Sequence, residues 1–221
     1  MVYKVEGKKK VFLDSFLITI VLLLIGFSIG FYVENYRTSS VIDSYRNYEI
    51  DALDLKLQNY YYQIMDGSSC DEAIEQNFIF ADDLYSQGLE IEKFEQAKQI
   101  SDEIIREKRR HVLFKTELWL NTILLKEKCG KPFDTVVYLY SQNPGNNAAI
   151  TQQKIISNVL KGVKEKKGND LVLIPIAGDI GLGIVDLQMK IYDVGELPAI
   201  LINEELLLTG FHSEEEILSY L

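Results

Sequence analysis

Cys70 and Cys129 are the residues of this 221-residue chain whose chemistry is easiest to specify. In an oxidising compartment two thiols pair most simply as a structural disulfide, which would contribute about 4 kcal/mol for so long a loop. Bridging requires Cα atoms within about 7 Å, which straight helices of the predicted lengths do not obviously provide. The alternative is a reactive Cys70, because the N-terminus of a predicted helix lowers the pKa of a thiol. We expect the structural bridge.

Other catalytic chemistry has little support. Two histidines and two cysteines are too few for a zinc cluster of the usual kind, so we expect no metal. His111 lies in a charged helix and His212 at the start of the last helix, and neither belongs to a Ser/His/Asp set. The glycine-rich segment 178–183 matches neither phosphate-binding spacing, which leaves a flexible turn and no cofactor. The lack of these catalytic patterns favours a protein that is not an enzyme.

The charge balance limits the partners. The formal net charge is -10, with 33 acidic residues against 23 basic ones. Binding to a phosphate backbone requires a basic surface, so we expect no nucleic acid. The basic run 106–111 is flanked by acidic residues and is better interpreted as a solvated helix face.

These side chains must be positioned by the elements around them, and the first element is an apolar helix. Residues 16–33 carry no charge and would span roughly 27 Å as a helix, close to the hydrocarbon thickness of a bilayer. The basic segment 1–15 precedes it and few basic residues follow. The positive-inside bias therefore predicts a single-pass protein of the cell membrane, with a cytoplasmic N-terminus and an extracytoplasmic remainder.

A cleaved signal peptide is the alternative, because Ser28 to Gly30 is a small-x-small pattern. The apolar run is longer than a usual signal core, and Phe31 and Tyr32 suit an aromatic interface belt, which favours an uncleaved anchor. Gly26 and Gly30 have the spacing that lets two membrane helices approach closely. They are candidate contacts of a homodimer.

The region 34–131 is predicted to be helical. Two neighbouring apolar stripes follow the anchor: Val41, Tyr45, Tyr48, Ala52, Leu55, Asn59 and Tyr62, and beside them Ile42, Ile50, Leu53, Leu57 and Ile64. About three heptads are borderline for a coiled coil, and the wide apolar face favours packing against other helices of the same chain. This helix is expected to end at 66–67. A second helix follows Ser69 and ends at Gly88, and the segment 90–128 forms one helix or two.

Residues 132–221 change to an alternating α/β rhythm. Short apolar runs predict strands, and periodic segments between them predict helices, in the order βαβαββα. The strands are expected at 133–141, 171–178, 199–202 and 206–210, and the helices at 148–166, at 182–192 and from Ser213. Asn203 and Glu204 form the turn between the last two strands.

That order, with Pro198 opening the third strand, resembles the thioredoxin superfamily in its minimal, glutaredoxin-like form. The resemblance covers 133–221, and VVYLYS, LPAILIN and LTGFHSEEEI carry it most clearly. It implies that Pro198 is cis and faces the start of the first helix of this domain. The positions that match the Cys-x-x-Cys motif of the family are Pro144, Gly145, Asn146 and Asn147. Both cysteines are absent, so thiol exchange at this site is excluded.

Pro175 lies within the second predicted strand. Because proline cannot donate a hydrogen bond to a neighbouring strand, we expect this strand at the edge of the sheet, as the family topology requires.

The resemblance also suggests a function. An extended peptide could bind at a rim formed by Leu197, Pro198 and the 144–147 loop, a binding mode that needs no cysteine. We therefore expect a redox-inactive thioredoxin-like domain that binds a protein or peptide. Two alternatives remain: a thiol-disulfide oxidoreductase or chaperone-like protein that uses Cys70 and Cys129, and a structural subunit of a membrane complex.

Overall fold

The computed structural model describes residues 6–64, 69–96, 102–130 and 132–221. The chain is mixed α/β, with three long helices followed by a small four-stranded sheet and its helices. It divides into two compact units, Met1–Asp54 and Leu55–Leu221. The second unit contains the end of the first helix, the next two helices and the whole sheet.

The first helix, α1, runs from Glu6 to Ile64. Its segment Lys10–Val33 is long and apolar enough to cross a membrane, and its side chains are exposed, which confirms the predicted membrane-competent helix. Nothing lies within 4 Å of a side chain added at Gly26 or Gly30, so their role in helix contact stays a prediction. The helix stop expected at 66–67 lies outside the described residues.

The second and third helices form a hairpin, α2 (Cys70–Gln96) with α3 (Asp102–Cys129). The predicted end of the second helix at Gly88 is wrong. Gly88 lies inside α2 because it faces α3, where an added Cβ would lie only 3.0 Å from Nε2 of His111. The segment predicted as one helix or two, 90–128, holds the end of α2 and nearly all of α3.

The hairpin explains the disulfide. α2 and α3 have nearly equal lengths, 27 and 28 residues, and pack so that the start of α2 meets the end of α3. Cys70 and Cys129 are bonded, with their Cα atoms 5.8 Å apart. The predicted structural bridge is confirmed, and the geometric objection disappears because the two helices return the chain to its starting point.

The sheet contains β1 (Asp134–Tyr140), β2 (Leu171–Ala177), β3 (Ala199–Ile202) and β4 (Leu206–Thr209), in the order β2-β1-β3-β4. β1 and β2 are parallel, and the other two pairs are antiparallel. The connecting helices are α4 (Asn147–Lys167), α5 (Gly183–Ile191) and the C-terminal α6 (Glu214–Leu218). The chain thus has the predicted βαβαββα order, and Pro175 lies on the edge strand β2.

Both faces of the sheet are covered. On one face α4 and α6 supply Ile156, Leu160, Val163 and Ile217 to a buried core with residues of all four strands. On the other face Thr135 accepts a hydrogen bond from Lys126 of α3, at 3.3 Å. Successive side chains of β1 point to opposite faces of the sheet. Because both faces are covered, all the central residues of β1 are buried.

Candidate functional site

The predicted site lies where β1 and β2 end and β3 begins. The Gly178 amide donates to the Tyr140 carbonyl at 2.8 Å, which joins the ends of β1 and β2. Ala199 is opposite Leu139 in the β1–β3 ladder, so Pro198 lies one residue further on, beside Tyr140. The Leu197–Pro198 peptide is cis. Three strand ends therefore meet at the loop that leads into α4.

That loop is held by Asp179, the second residue after β2. Its carboxylate accepts from the Ser141 hydroxyl and the Gln142 amide, both at 2.6 Å, and from the Asn143 amide at 3.4 Å. Partial burial opposes ionisation, but these hydrogen bonds outweigh it and lower the pKa of Asp179. The carboxylate fixes the first three residues of the loop.

Gln153 of α4 holds the same loop from the other side. Its Oε1 accepts from the Ser141 amide at 2.6 Å, and its Nε2 donates to the Ser141 carbonyl at 3.1 Å. The Tyr138 hydroxyl in turn donates to the Gln153 carbonyl at 3.1 Å. The loop backbone is thus paired to fixed elements at its first residue.

The four positions that match the family motif lie at the start of α4. Asn146 is the N-cap, with extended backbone and a side chain that accepts from the Ala149 amide at 2.9 Å. Gly145 and Asn147 are exposed, and Pro144 is half-buried. A capping asparagine accepts hydrogen bonds but provides no nucleophile, so this end of α4 can bind but cannot exchange thiols.

Leu197 is seated by a close approach to Gly178. A Cβ at Gly178 would lie 2.9 and 3.0 Å from the two methyl groups of Leu197, so glycine makes room for this side chain. Among the described residues, neither the N–H nor the C=O of Leu197 has a hydrogen-bond partner within the chain. The half-buried Leu197 therefore offers a donor and an acceptor at the edge of the site.

An open groove of about 710 Å³ borders the N-terminal part of α4. Its wall is almost entirely apolar and consists of Asn147, Ala148, Thr151, Gln152, Ile155 and Phe211. Phe211, which follows β4, is 60% exposed. The register of β3 with β4 places Thr209 beside Ala199, so Phe211 lies at the same end of the sheet as Pro198.

The cysteines lie elsewhere. Cys129 precedes the start of β1, whereas Leu197 lies beyond its end, and a seven-residue strand separates the two ends by roughly 20 Å. The structure therefore does not bring the Cys70–Cys129 bridge to the candidate site. The two halves of the predicted rim, at 144–147 and at Leu197 with Pro198, do lie at one end of the sheet.

Sequence reasoning missed three residues of this region. Asp179 had a usable signal, because it follows the carboxyl end of a parallel strand, where α/β folds place their ligand sites. Phe211 is an aromatic residue just after a strand, which is a weak signal. Gln153 had none, since only the folded chain shows that it meets the Ser141 backbone.

No protein-family model matches the chain, and no curated protein matches it. Among solved structures, one described as "Structure of a malarial protein" is similar to part of the chain. The identity is 16%, the match covers 40% of this chain and 92% of that one, and the TM-score is 0.30. A likeness of this size carries no argument about function.

Proposed function

We propose that this is a single-pass membrane protein whose C-terminal part is a redox-inactive thioredoxin-like domain. The domain binds an extended segment of a partner protein on the extracytoplasmic side of the membrane. The binding face consists of Leu197, Pro198, the 144–147 loop and the groove at Phe211.

The arrangement of the sheet supports the thioredoxin-like assignment. The strand order β2-β1-β3-β4 has β2 at an edge of the sheet, as the minimal form of that fold requires, and β2 is parallel to β1. Pro198 precedes β3 at the end of the sheet where α4 begins, which is the position the resemblance implies for it. Helices cover both faces of the sheet, as in other α/β domains.

The observation that carries the binding proposal is the backbone of Leu197, which has no hydrogen-bond partner among the described residues. An extended peptide beside this residue would accept from its N–H and donate to its C=O, as a strand does when it joins a sheet edge. Side chains of that peptide would then reach the apolar groove between α4 and Phe211. Backbone pairing provides affinity, and the groove provides selectivity for apolar side chains.

The positions of the thiols favour binding over exchange. Pro144 and Asn147 occupy the positions that match the two cysteines of the motif, and the chain contains no cysteine other than the bonded pair. The Cys70–Cys129 bridge joins the start of α2 to the end of α3. It lies near the start of β1, whereas the proposed binding face lies at the end of β1. A structural role for the bridge agrees with these positions, and the oxidoreductase alternative has no thiol at the site.

The anchor supports the location. Lys10–Val33 can span a bilayer, and four lysines lie at or before its start, at positions 4, 8, 9 and 10. The positive-inside bias then places the bulk of the chain outside the cytoplasm, where a disulfide is stable. The partner would be another extracytoplasmic or membrane protein.

Photocrosslinking in intact membranes tests the proposal. A photoreactive amino acid replaces Leu197 in one variant and Asn169 in another; Asn169 is exposed and lies at the opposite end of the sheet, just before β2. We expect a discrete protein adduct from position 197 and none from position 169. No adduct at position 197, or the same adduct at both positions, would reject the proposed binding face.

A further inference from the structure

The last turns of α1 have two different faces, and one of them packs on the hairpin. The Asn59 side chain donates to Oδ1 of Asn121, and the Tyr62 hydroxyl donates to the Ala73 carbonyl at 3.3 Å. Tyr62 is only 3% exposed. Asn59 and Tyr62 belong to the first of the two predicted stripes. The prediction that both stripes form one wide face packed within the chain is wrong in these turns, because Leu57 and Ile64 of the second stripe are exposed.

The opposite face of the last turns of α1 is apolar and exposed to solvent. Leu57, Tyr60 and Ile64, here called the α1 seam, are 65%, 54% and 81% exposed. They follow each other at steps of three and four residues, so they form one row along the helix. Within the described part of the unit Leu55–Leu221, no element covers this row.

The sequence continues the row in the N-terminal direction. Ile50 and Leu53 extend the same alternation of three and four residues, so that Ile50, Leu57 and Ile64 occupy the a positions of a heptad and Leu53 and Tyr60 occupy the d positions. Such a narrow row is the pattern of a coiled-coil seam. Isoleucine at a, as at Ile50 and Ile64, and leucine at d, as at Leu53, favour two parallel strands, whereas Leu57 at a and Tyr60 at d do not follow this preference.

We propose that the α1 seam binds the α1 seam of a second copy of this chain as a parallel coiled coil. A heptad row is complementary to itself, so a two-fold axis along it covers the same residues in both copies. Both copies enter the bilayer through the same N-terminal segment and therefore run in the same direction, a point that rests on the proposed anchor. This interaction is separate from the proposed peptide binding.

The flanking charges do not set the direction of the pairing. Lys56, at a g position, interacts electrostatically with Glu117 of α3 in the same chain. Glu49 and Asp54, at the preceding g position and its matching e position, have like charges. The parallel direction therefore follows from the shared anchor, and the apolar row provides the contact.

Cysteine crosslinking of the full-length protein in membranes tests the proposal. Tyr60→Cys places a thiol in the seam, and Ile191→Cys places one on α5 at a residue that is 62% exposed. Under mild oxidation we expect a covalent dimer from Tyr60→Cys and monomer from Ile191→Cys. No dimer from Tyr60→Cys, equal dimer from both variants, or a disulfide between the thiol introduced by Tyr60→Cys and a different protein would overturn the proposal.

A second measurement does not depend on added thiols. Leu57→Glu with Ile64→Glu should halve the light-scattering mass of the full-length protein in detergent relative to wild type. The matched control, Leu187→Glu with Ile191→Glu, changes two exposed apolar residues of α5 and should keep the dimer mass. All four side chains are more than half exposed, so both variants should retain their helical circular dichroism. A seam variant with the wild-type mass would overturn the proposal.

Discussion

The ammonium of Lys126 lies 2.9 Å from the carboxylate of Glu204, and this pair joins α3 to the turn between β3 and β4. Lys126 also donates to Asn203 at 2.8 Å, and the Trp119 indole donates to the other oxygen of Glu204 at 3.1 Å. The side chains of the ion pair are only 6% and 14% exposed. Asn203 and Glu204 both have positive φ, at 51° and 60°, so the turn presents them to the helix. The hairpin and the sheet are thus held together by a buried polar cluster.

Replacing Lys126 with methionine should reduce the free energy of unfolding by about 3 kcal/mol, because Glu204 would remain buried without its counter-charge. Urea unfolding followed by the fluorescence of Trp119, the one tryptophan of the chain, measures this locally. Lys161→Met is the control, since Lys161 pairs with Glu165 at 3.9 Å on the exposed surface and should change stability by less than about 0.5 kcal/mol. Equal effects of the two substitutions would show that the buried pair contributes nothing special.

Removing the disulfide should cost about 4 kcal/mol, the loop-entropy value for a separation of 59 residues. The Cys70→Ser, Cys129→Ser double variant should retain the helical circular dichroism signal and unfold at lower urea. Alkylation of the wild type without reductant, followed by mass spectrometry, should leave both cysteines unlabelled. Rapid labelling of Cys70 would instead support the reactive-thiol alternative.

Asp179→Asn should loosen the loop after β1. The amide has one acceptor oxygen where the carboxylate has two, so it cannot serve Ser141, Gln142 and Asn143 together. We expect a loss of about 1 kcal/mol, small because the carboxylate is exposed. Since the folded state lowers the pKa of Asp179, its contribution is complete above the pKa of the unfolded chain and is lost at lower pH. Faster amide exchange at Gln142 in the variant is the specific measurement; unchanged exchange would refute the role given to Asp179.

His111 should make the hairpin sensitive to acid. Burial first, and then the charge of Lys115, lower the pKa of His111 to about 3, and neither ring nitrogen has a hydrogen-bond partner among the described residues. Near pH 6.5 the histidine of the unfolded chain binds a proton, whereas His111 of the folded chain stays neutral. The contribution of His111 to the free energy of unfolding is therefore fully present above pH 6.5 and decreases below it. The free energy of unfolding can decrease by about 1.4 kcal/mol for each pH unit in this range.

The comparison with His111→Gln isolates this contribution. Urea unfolding between about pH 7 and pH 4, the range in which the unfolded histidine titrates, should show a steeper loss for wild type than for the variant. Glu117, whose pKa burial raises, has the opposite effect but is present in both proteins. Parallel curves would mean that the pKa of His111 is the same in the folded and unfolded chains.

The strands and their order along the chain could be predicted because β1 and β2 are short apolar runs, and the sequence shows such runs directly. Gly88 misled the prediction because a glycine that lets two helices touch looks, in sequence, like one that ends a helix. The disulfide between Cys70 and Cys129 could be predicted from the sequence, but its position in the fold could not. That position depends on the antiparallel packing of α2 and α3, which brings the two cysteines together.

Only part of the candidate site could be predicted from the sequence. The 144–147 loop and Pro198 came from the family resemblance, whereas Asp179 and Gln153 act through hydrogen bonds over 12 to 38 residues, which no local pattern encodes. Among the described residues the backbone of Leu197 has no hydrogen-bond partner, and the sequence does not show this, because it depends on which groups the neighbouring strands leave unpaired.

The most direct test of peptide binding is to map what the site touches. Photoreactive residues at Leu197 and, separately, at Phe211 are crosslinked in intact membranes, and the labelled peptides are identified by mass spectrometry. The proposal predicts that both positions label the same short segment of one partner protein, because Leu197 and Phe211 lie at the same end of the sheet. Labelling of unrelated segments, or no labelling at either position, would contradict it.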